Sequence, residues 1–135
     1  GERVSAWRDQ SENIQGAYAH YYLVPAASVI PVPEDLPAQA LAPIEMAMCM
    51  ATVFRMLREM DAVRGRAFGV VGLGPAGLIA LQMARAEGAA EVIGFDLLPQ
   101  RRELALKLGA DVCHDPTDLD ESIPLRPANR VSGTA

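Results

Sequence analysis

The feature that most limits what this chain can fold into is Gly72-Leu73-Gly74-Pro75-Ala76-Gly77, a GxGxxG run between two segments of different character. Before it, Ala67 to Gly72 is a short apolar run of the kind that forms a buried strand. After it, Pro75 to Glu87 is rich in Ala, Leu and Met and ends at Gly88, which predicts a helix with its stop signal. Strand, tight turn and helix thus follow one another without a spacer. In such a turn Gly72 permits the bend, Gly74 lets the backbone approach a pyrophosphate, and Gly77 allows the helix to pack closely on the strand. The helix N-terminus offers free N–H groups and the positive end of its dipole to phosphates. Gly72, Leu73, Gly74, Pro75, Ala76 and Gly77 are therefore candidate cofactor-binding residues. A glycine turn of purely structural purpose is the alternative, and the placement between strand and helix favours nucleotide binding.

The same alternation continues downstream. Glu91 to Asp96 reads as a strand, Pro99 to Leu108 as a helix ahead of Gly109, and Asp111 to Cys113 as the start of a third strand, with His114 in the loop after it. A β-α-β-α-β succession with apolar strands implies a parallel sheet, so the fold class is α/β, the first half of a Rossmann doubly wound sheet. Asp96 ends the second strand about twenty residues beyond the glycines, where a carboxylate can accept hydrogen bonds from both ribose hydroxyls of NAD. The competing role for Asp96 is to cap the helix that begins near Pro99. A 2′-phosphate would be repelled by this carboxylate, and Leu97 and Leu98 stand where an arginine would be needed, so NAD(H) is favoured over NADP(H). Arg101 and Arg102 follow one helical turn later. Arg101 is a candidate for the adenine side, against the alternative of solvated arginines on a helix surface.

Upstream of the glycines the text is different. Arg3 to Trp7 and Ala17 to Pro25 are rich in β-branched and aromatic residues around a polar stretch, Gln10 to Gly16, and read as two strands. Ser28 to Val32, with prolines at Pro31 and Pro33, reads as an edge strand. From Ala38 to Met60 helix formers dominate, and Pro43 suits the first turn of a second helix. That helix is apolar over a wide arc and is expected to be well buried, with Cys49, Met46, Met48 and Met50 as core. From residue 116 to 135, three prolines, scattered charges and no apolar periodicity predict an irregular tail. The expected division is 1–37, a β-rich remnant; 38–115, a partial dinucleotide-binding domain; and 116–135, the tail.

Composition excludes some partners. A formal net charge of −5 argues against nucleic acid or an anionic membrane surface. The longest apolar stretch, Leu36 to Phe54, is interrupted by Pro37, Pro43 and Glu45, which a bilayer-spanning helix would rarely tolerate together. Cys49 and Cys113 lie far apart with no CxxC pair, so no disulfide framework is expected and a cytoplasmic location is the default.

The residues also carry a family likeness. The run from Phe68 through Gly72-Leu-Gly-Pro-Ala-Gly to Ala89, then Val92-Ile-Gly-Phe-Asp and Leu104-Ala-Leu-Lys-Leu-Gly-Ala-Asp, resembles the cofactor domain of zinc-type medium-chain alcohol, polyol and threonine dehydrogenases. Gly1-Glu-Arg-Val, Gly16-Ala-Tyr-Ala-His-Tyr-Tyr-Leu-Val-Pro-Ala and Val32-Pro-Glu-Asp-Leu resemble the end of that family's GroES-like catalytic domain. The resemblance covers residues 1 to 115 and implies a fragment lacking both ends. It implies an oxidoreductase that moves hydride between NAD(H) and an alcohol, polyol or ketone, a catalytic zinc, and a homo-oligomeric full-length form. Glu45, in Ala42-Pro-Ile-Glu-Met, matches the Glu that polyol-type members place in or beside the zinc shell, although Met46 departs from the proline usual there. The helix dipole alone would also favour a Glu at that position. His20 stands where many members have Glu and is not expected to bind metal. The stretch between Trp7 and Gln15 is too short for the four-cysteine zinc lobe of some members. No catalytic residue is assigned. The other reading is a non-catalytic module that binds ADP-ribose, or an inactive remnant.

Overall fold

The computed structural model describes residues 1–6 and 19–118, and its centre is a three-stranded parallel sheet. Strands β3 (Ala67–Val71), β4 (Glu91–Phe95) and β5 (Val112–His114) lie side by side in that order. Ala67 stands opposite Glu91, Val71 opposite Phe95, and Phe95 opposite His114. The crossovers are α3 (Pro75–Ala86) and α4 (Pro99–Lys107). Sequential parallel strands joined by helices, with the first strand at one edge, are what the first half of a doubly wound sheet requires. The α/β reading of 67–115 therefore holds.

Helix α3 packs its Leu81 and Ala84 against the sheet, where both are fully buried. Leu73 and Val92 are equally closed off, and Phe54 from helix α2 (Ile44–Glu59) completes the core with Val63 and Val70. Phe54 meets Phe68 of β3 with ring centroids 5.6 Å apart, in the tilted arrangement aromatic pairs favour. The short α1 (Ala38–Leu41) precedes α2, and Pro43 sits at the N-cap of α2. Among the described residues no helix is long and apolar enough to cross a membrane.

The β-rich beginning differs from expectation. Strand β1 (Val4–Ala6) pairs antiparallel with β2 (Val29–Pro31), Val4 opposite Pro31, after a 3-10 turn at Ala26–Ser28. The strand expected over Ala17 to Pro25 does not form across residues 19–25, and residues 17 and 18 lie outside the described residues. A strand exists only where a neighbour takes its backbone groups. β2 supplies that neighbour to β1, and among the described residues the aromatic 19–25 segment has none. Arg3 secures the entry to the helices by donating to the carbonyls of Glu34 at 2.6 Å and Leu36 at 2.7 Å.

Two further expectations are corrected. Helix α2 is not well buried, since only Phe54 on it is closed off. Its neighbour α3 covers one face, and Cys49, Met46, Val53, Met56 and Met60 are exposed. Strand β3, as the outer strand of the sheet, presents an exposed apolar edge, with Val71 84% exposed. His114 is the last residue of β5 and not a loop residue, because its position opposite Phe95 extends the ladder by one pair. Residues 116–118 form a turn, and the rest of the 116–135 stretch lies outside the described residues, as does the 7–15 segment.

Candidate functional site

The candidate site is built where β3 and β4 end. Gly72 has φ +88°, a conformation that side chains rarely adopt, and its N–H donates to the Phe95 carbonyl at 2.8 Å. Leu73 then points into the core, fully buried. Its N–H donates to Asp96 Oδ2 at 2.7 Å, so the glycine turn and the end of β4 are joined through one carboxylate. Gly74 is the N-cap of α3, and its carbonyl accepts from the Leu78 N–H at 2.9 Å. Pro75 at the first helical position has no N–H to satisfy, while Ala76 and Gly77 present first-turn N–H groups that an α-helix cannot pair internally.

Two of the three motif glycines have a structural reason to be glycine, and the two reasons differ. Gly72 needs its positive φ. Gly77 needs the absence of a side chain, because a Cβ there would fall 1.9 Å from the Gly72 carbonyl oxygen. Gly74 has neither reason: its backbone is extended at φ −73° and ψ −174°, and a Cβ would meet nothing within 4 Å. Capping does not explain it, since Ser, Asp or Asn would cap a helix better than glycine. The space over Gly74 is open and faces the start of α3.

Asp96 is 7% exposed and is held from three sides. Its Oδ1 accepts the Leu98 N–H at 2.9 Å, its Oδ2 accepts the Leu73 N–H, and Arg101 Nη1 stands 3.4 Å from Oδ2. The N–H of Leu98 and then that of Leu73 hold its carboxyl below the ordinary carboxylate range; partial desolvation opposes them, and Arg101 adds to the lowering. Asp96 is thus ionised at neutral pH and fixed in place. Both roles weighed for it are sterically compatible, because it braces the turn into α4 while lining a cavity of about 450 Å³. Gly72, Leu97, Leu98, Arg101 and Pro116 line the same cavity.

Arg102, beside it, is not the solvated arginine of the alternative reading. Its guanidinium donates to the carbonyls of Asp96 at 2.6 Å and Leu97 at 2.9 Å and pairs with Asp115 at 2.9 Å. Asp115 is in turn fixed by the Thr117 N–H and hydroxyl, which are the first causes of its lowered pKa. A second long-range clasp joins Arg85, Asp111 and the Val92 N–H; the Val92 bond is 2.7 Å. Sequence reading missed Arg102, Asp115 and Asp111 as partners. Nothing periodic links residues 13 or 26 positions apart, and only the fold closes those loops.

Glu45 and the glycine turn share a cavity of about 380 Å³, with Glu45, Met46 and Pro43 on one side and Pro75 on the other. The Cys49 thiol is 3.7 Å from Glu45 Oε1, one helical turn away. Desolvation first, and then the Glu45 carboxylate, push the Cys49 thiol above its ordinary value, so it stays protonated. Among the described residues no three His, Cys, Asp or Glu side chains gather as a metal site. Glu45 and Cys49 alone fall short of the three protein ligands that a catalytic zinc takes. His20 is exposed, and His114 lies over Phe95 with centroids 5.7 Å apart.

Comparison with known proteins adds relatives to this geometry. The family described as "Zinc-binding dehydrogenase" matches residues 75–125, past the point where the resemblance seen in the sequence ends. L-threonine 3-dehydrogenase from Thermococcus kodakarensis is 34% identical over 109 residues, 80% of this chain and 30% of that protein. L-threonine 3-dehydrogenase from Bacillus licheniformis is 41% identical over 95 residues, covering 70% and 26%. Among solved structures, galactitol-1-phosphate dehydrogenase from Escherichia coli superposes with a TM-score of 0.69 at 27% identity, over 78% of this chain and 30% of that one. A Sinorhizobium meliloti structure described as a zinc-binding dehydrogenase, bound to NADP, gives a TM-score of 0.67 at 30% identity, over 78% and 30%. The chain spans about three tenths of the length of the curated relatives it matches.

Proposed function

This chain belongs to the zinc-type medium-chain dehydrogenase family, and from that premise we propose that its glycine turn and Asp96 form the adenosine half of an NAD(H) site in an oxidoreductase. The parent enzyme moves hydride between the nicotinamide and an alcohol, polyol or ketone. The observation that carries the reading is Gly74. The described residues do not require glycine there, whereas a pyrophosphate lying against the backbone would. The N–H groups of Ala76 and Gly77 and the dipole of α3 then meet the phosphates, with Leu73 and Pro75 setting the path of the turn. Asp96, ionised and already oriented, accepts from the ribose hydroxyls, and Arg101 closes the adenosine side of the same cavity.

When bound, the dinucleotide supplies the hydride acceptor, and the residues here bind and orient its adenosine end. Residues 1–37 are the end of a GroES-like domain in this reading, 38–115 the cofactor domain, and 116–135 the stretch beyond. Glu45 is the residue proposed for a metal shell, because its cavity reaches the glycine turn. Any zinc it helps to hold takes its other ligands from outside the described residues. Oligomer formation and a cytoplasmic location belong to the same reading of the whole protein.

Calorimetric titration of the 135-residue chain with ADP-ribose, NAD⁺ and NADP⁺ tests this directly. ADP-ribose and NAD⁺ are expected to bind more tightly than NADP⁺, and Asp96→Asn to narrow that gap. A folded chain that takes up none of the three ligands would falsify the half-site.

A further inference from the structure

Resting on the adenosine half-site reading, we propose that Asp115 is a specificity-determining residue, which discriminates against a 2′-phosphate by holding Arg102 behind the turn into α4. Two arginines begin that helix, and the fold treats them differently. Arg101 lines the cavity, its side chain is 49% exposed, and it touches Asp96 only at 3.4 Å. Arg102 is 22% exposed in its side chain and is bound on the other side of the turn, to the carbonyls of Asp96 and Leu97 and to Asp115. Asp115 cannot easily swing away, since Thr117 engages its second oxygen through both N–H and hydroxyl, at 3.0 and 2.7 Å.

The electrostatic consequence follows from counting charges at the ribose. With Arg102 neutralised by Asp115, the described residues leave the cavity with the Asp96 carboxylate against one cation, Arg101. A sugar with free hydroxyls suits that balance, because the carboxylate accepts from both. A phosphate monoester does not. It brings about two negative charges near neutral pH and is recognised by arginine forks, of which the described residues turn one, Arg101, to the cavity. Without the Asp115 charge, the Arg102 side chain is free to leave its carbonyl partners and supply the second fork. The neighbouring Pro116 already forms part of the cavity wall, so the Asp115 segment is within reach of the bound sugar.

The test compares ADP-ribose with 2′-phospho-ADP-ribose on the full chain by calorimetry, with thermal melts confirming that each variant folds. In Asp115→Ala the ratio of the two dissociation constants, phosphorylated over unphosphorylated, is expected to fall about tenfold, the worth of one charge-assisted contact. Asp115→Asn, which keeps an oxygen for Thr117, should give a smaller fall in the same direction. Asp115→Glu should restore discrimination. The double variant Arg102→Leu with Asp115→Ala should return the ratio to that of the unaltered chain, an outcome that a merely structural role for Asp115 would not produce. An unchanged ratio in folded Asp115→Ala and Asp115→Asn variants that still bind ADP-ribose overturns this proposal and leaves the half-site standing. Failure of the unaltered chain to bind ADP-ribose at all overturns the half-site reading, and this proposal with it.

Discussion

Helices α2 and α3 are written in much the same alphabet of Ala, Leu, Met and Arg, yet they end in different environments. Over 12 residues α3 closes off Leu81 and Ala84 completely, whereas α2 closes off Phe54 alone over 16. The reason is the number of neighbours. Helix α3 packs on β3, β4 and α2 together, while α2 meets α3 and, through Phe54, Phe68 of β3, and leaves Val53 and Met56 exposed. Apolar content thus predicts that a segment becomes a helix, and the count of covered faces decides what its side chains contribute.

The contrast can be broken most sharply at Leu81. Leu81→Ala should destabilise the chain by about 2–5 kcal/mol in urea unfolding, the range for a large core side chain that leaves a cavity. Met56→Ala serves as the counterpart on α2, and equal losses at the two positions would end the comparison. The start of α3 offers the next largest effect. Gly77→Ala puts a methyl group against the Gly72 carbonyl and is expected to cost about 1–3 kcal/mol or more, since backbone must move to admit it.

Acid provides a third probe, because the carboxylates with depressed pKa values on β4, β5 and their turns hold the sheet side together. Asp96, Asp111 and Asp115 are lowered chiefly by the N–H groups of Leu98, of Val92 and by the side chain and N–H of Thr117, in that order. A group whose folded pKa is depressed releases its proton more readily when folded, so the unfolded chain binds more protons between the two values. Its stabilisation is therefore complete above the unfolded Asp pKa of about 3.9 and fades as pH falls through the lower folded value. Melting temperature should hold steady from neutrality to about pH 5 and drop below about pH 4. Hydrogen exchange should quicken first at the N–H groups of Leu73, Val92 and Leu98. If the α2 amides lose protection before these do, the sheet side is not where acid acts.

Gly74→Ala carries a smaller stability effect and a larger functional one. The fold has room for the methyl group, so the stability change should stay within about 1 kcal/mol, the penalty for alanine at an N-cap. Affinity for ADP-ribose should nonetheless fall at least tenfold. Full retention of binding would remove the main support for a pyrophosphate over this turn. Met56→Ala, on the open face of α2, should be the mildest change, within about 1 kcal/mol of the unaltered chain.

Much of this was legible in local text. The GxGxxG run, the apolar strand before it and the aspartate ending the next strand are signals within one turn or one βα unit, and they located α3, β4 and α4 closely. The errors fell where an outcome depends on distant partners. The aromatic 19–25 segment has strand composition and no neighbour to pair with among the described residues, and Cys49 has core composition on an exposed helix face. Arg102 looked like a surface residue because Asp115, its partner, is on another strand's exit.

What local chemistry alone settled is the alternation of strand and helix and the special backbone at Gly72, since steric limits on φ and ψ and the apolar period act within a few residues. What only the assembled fold decided is why Gly77 admits no side chain, which of Arg101 and Arg102 lines the cavity, and how Asp96 is held. Those depend on groups at the ends of β3, β4 and β5 and the start of α4 meeting at hydrogen-bond distance, 2.6 Å for Arg102 to Asp96 and 2.7 Å for Leu73 to Asp96, and long-range contacts of that kind leave no trace in the spacing of residues along the chain.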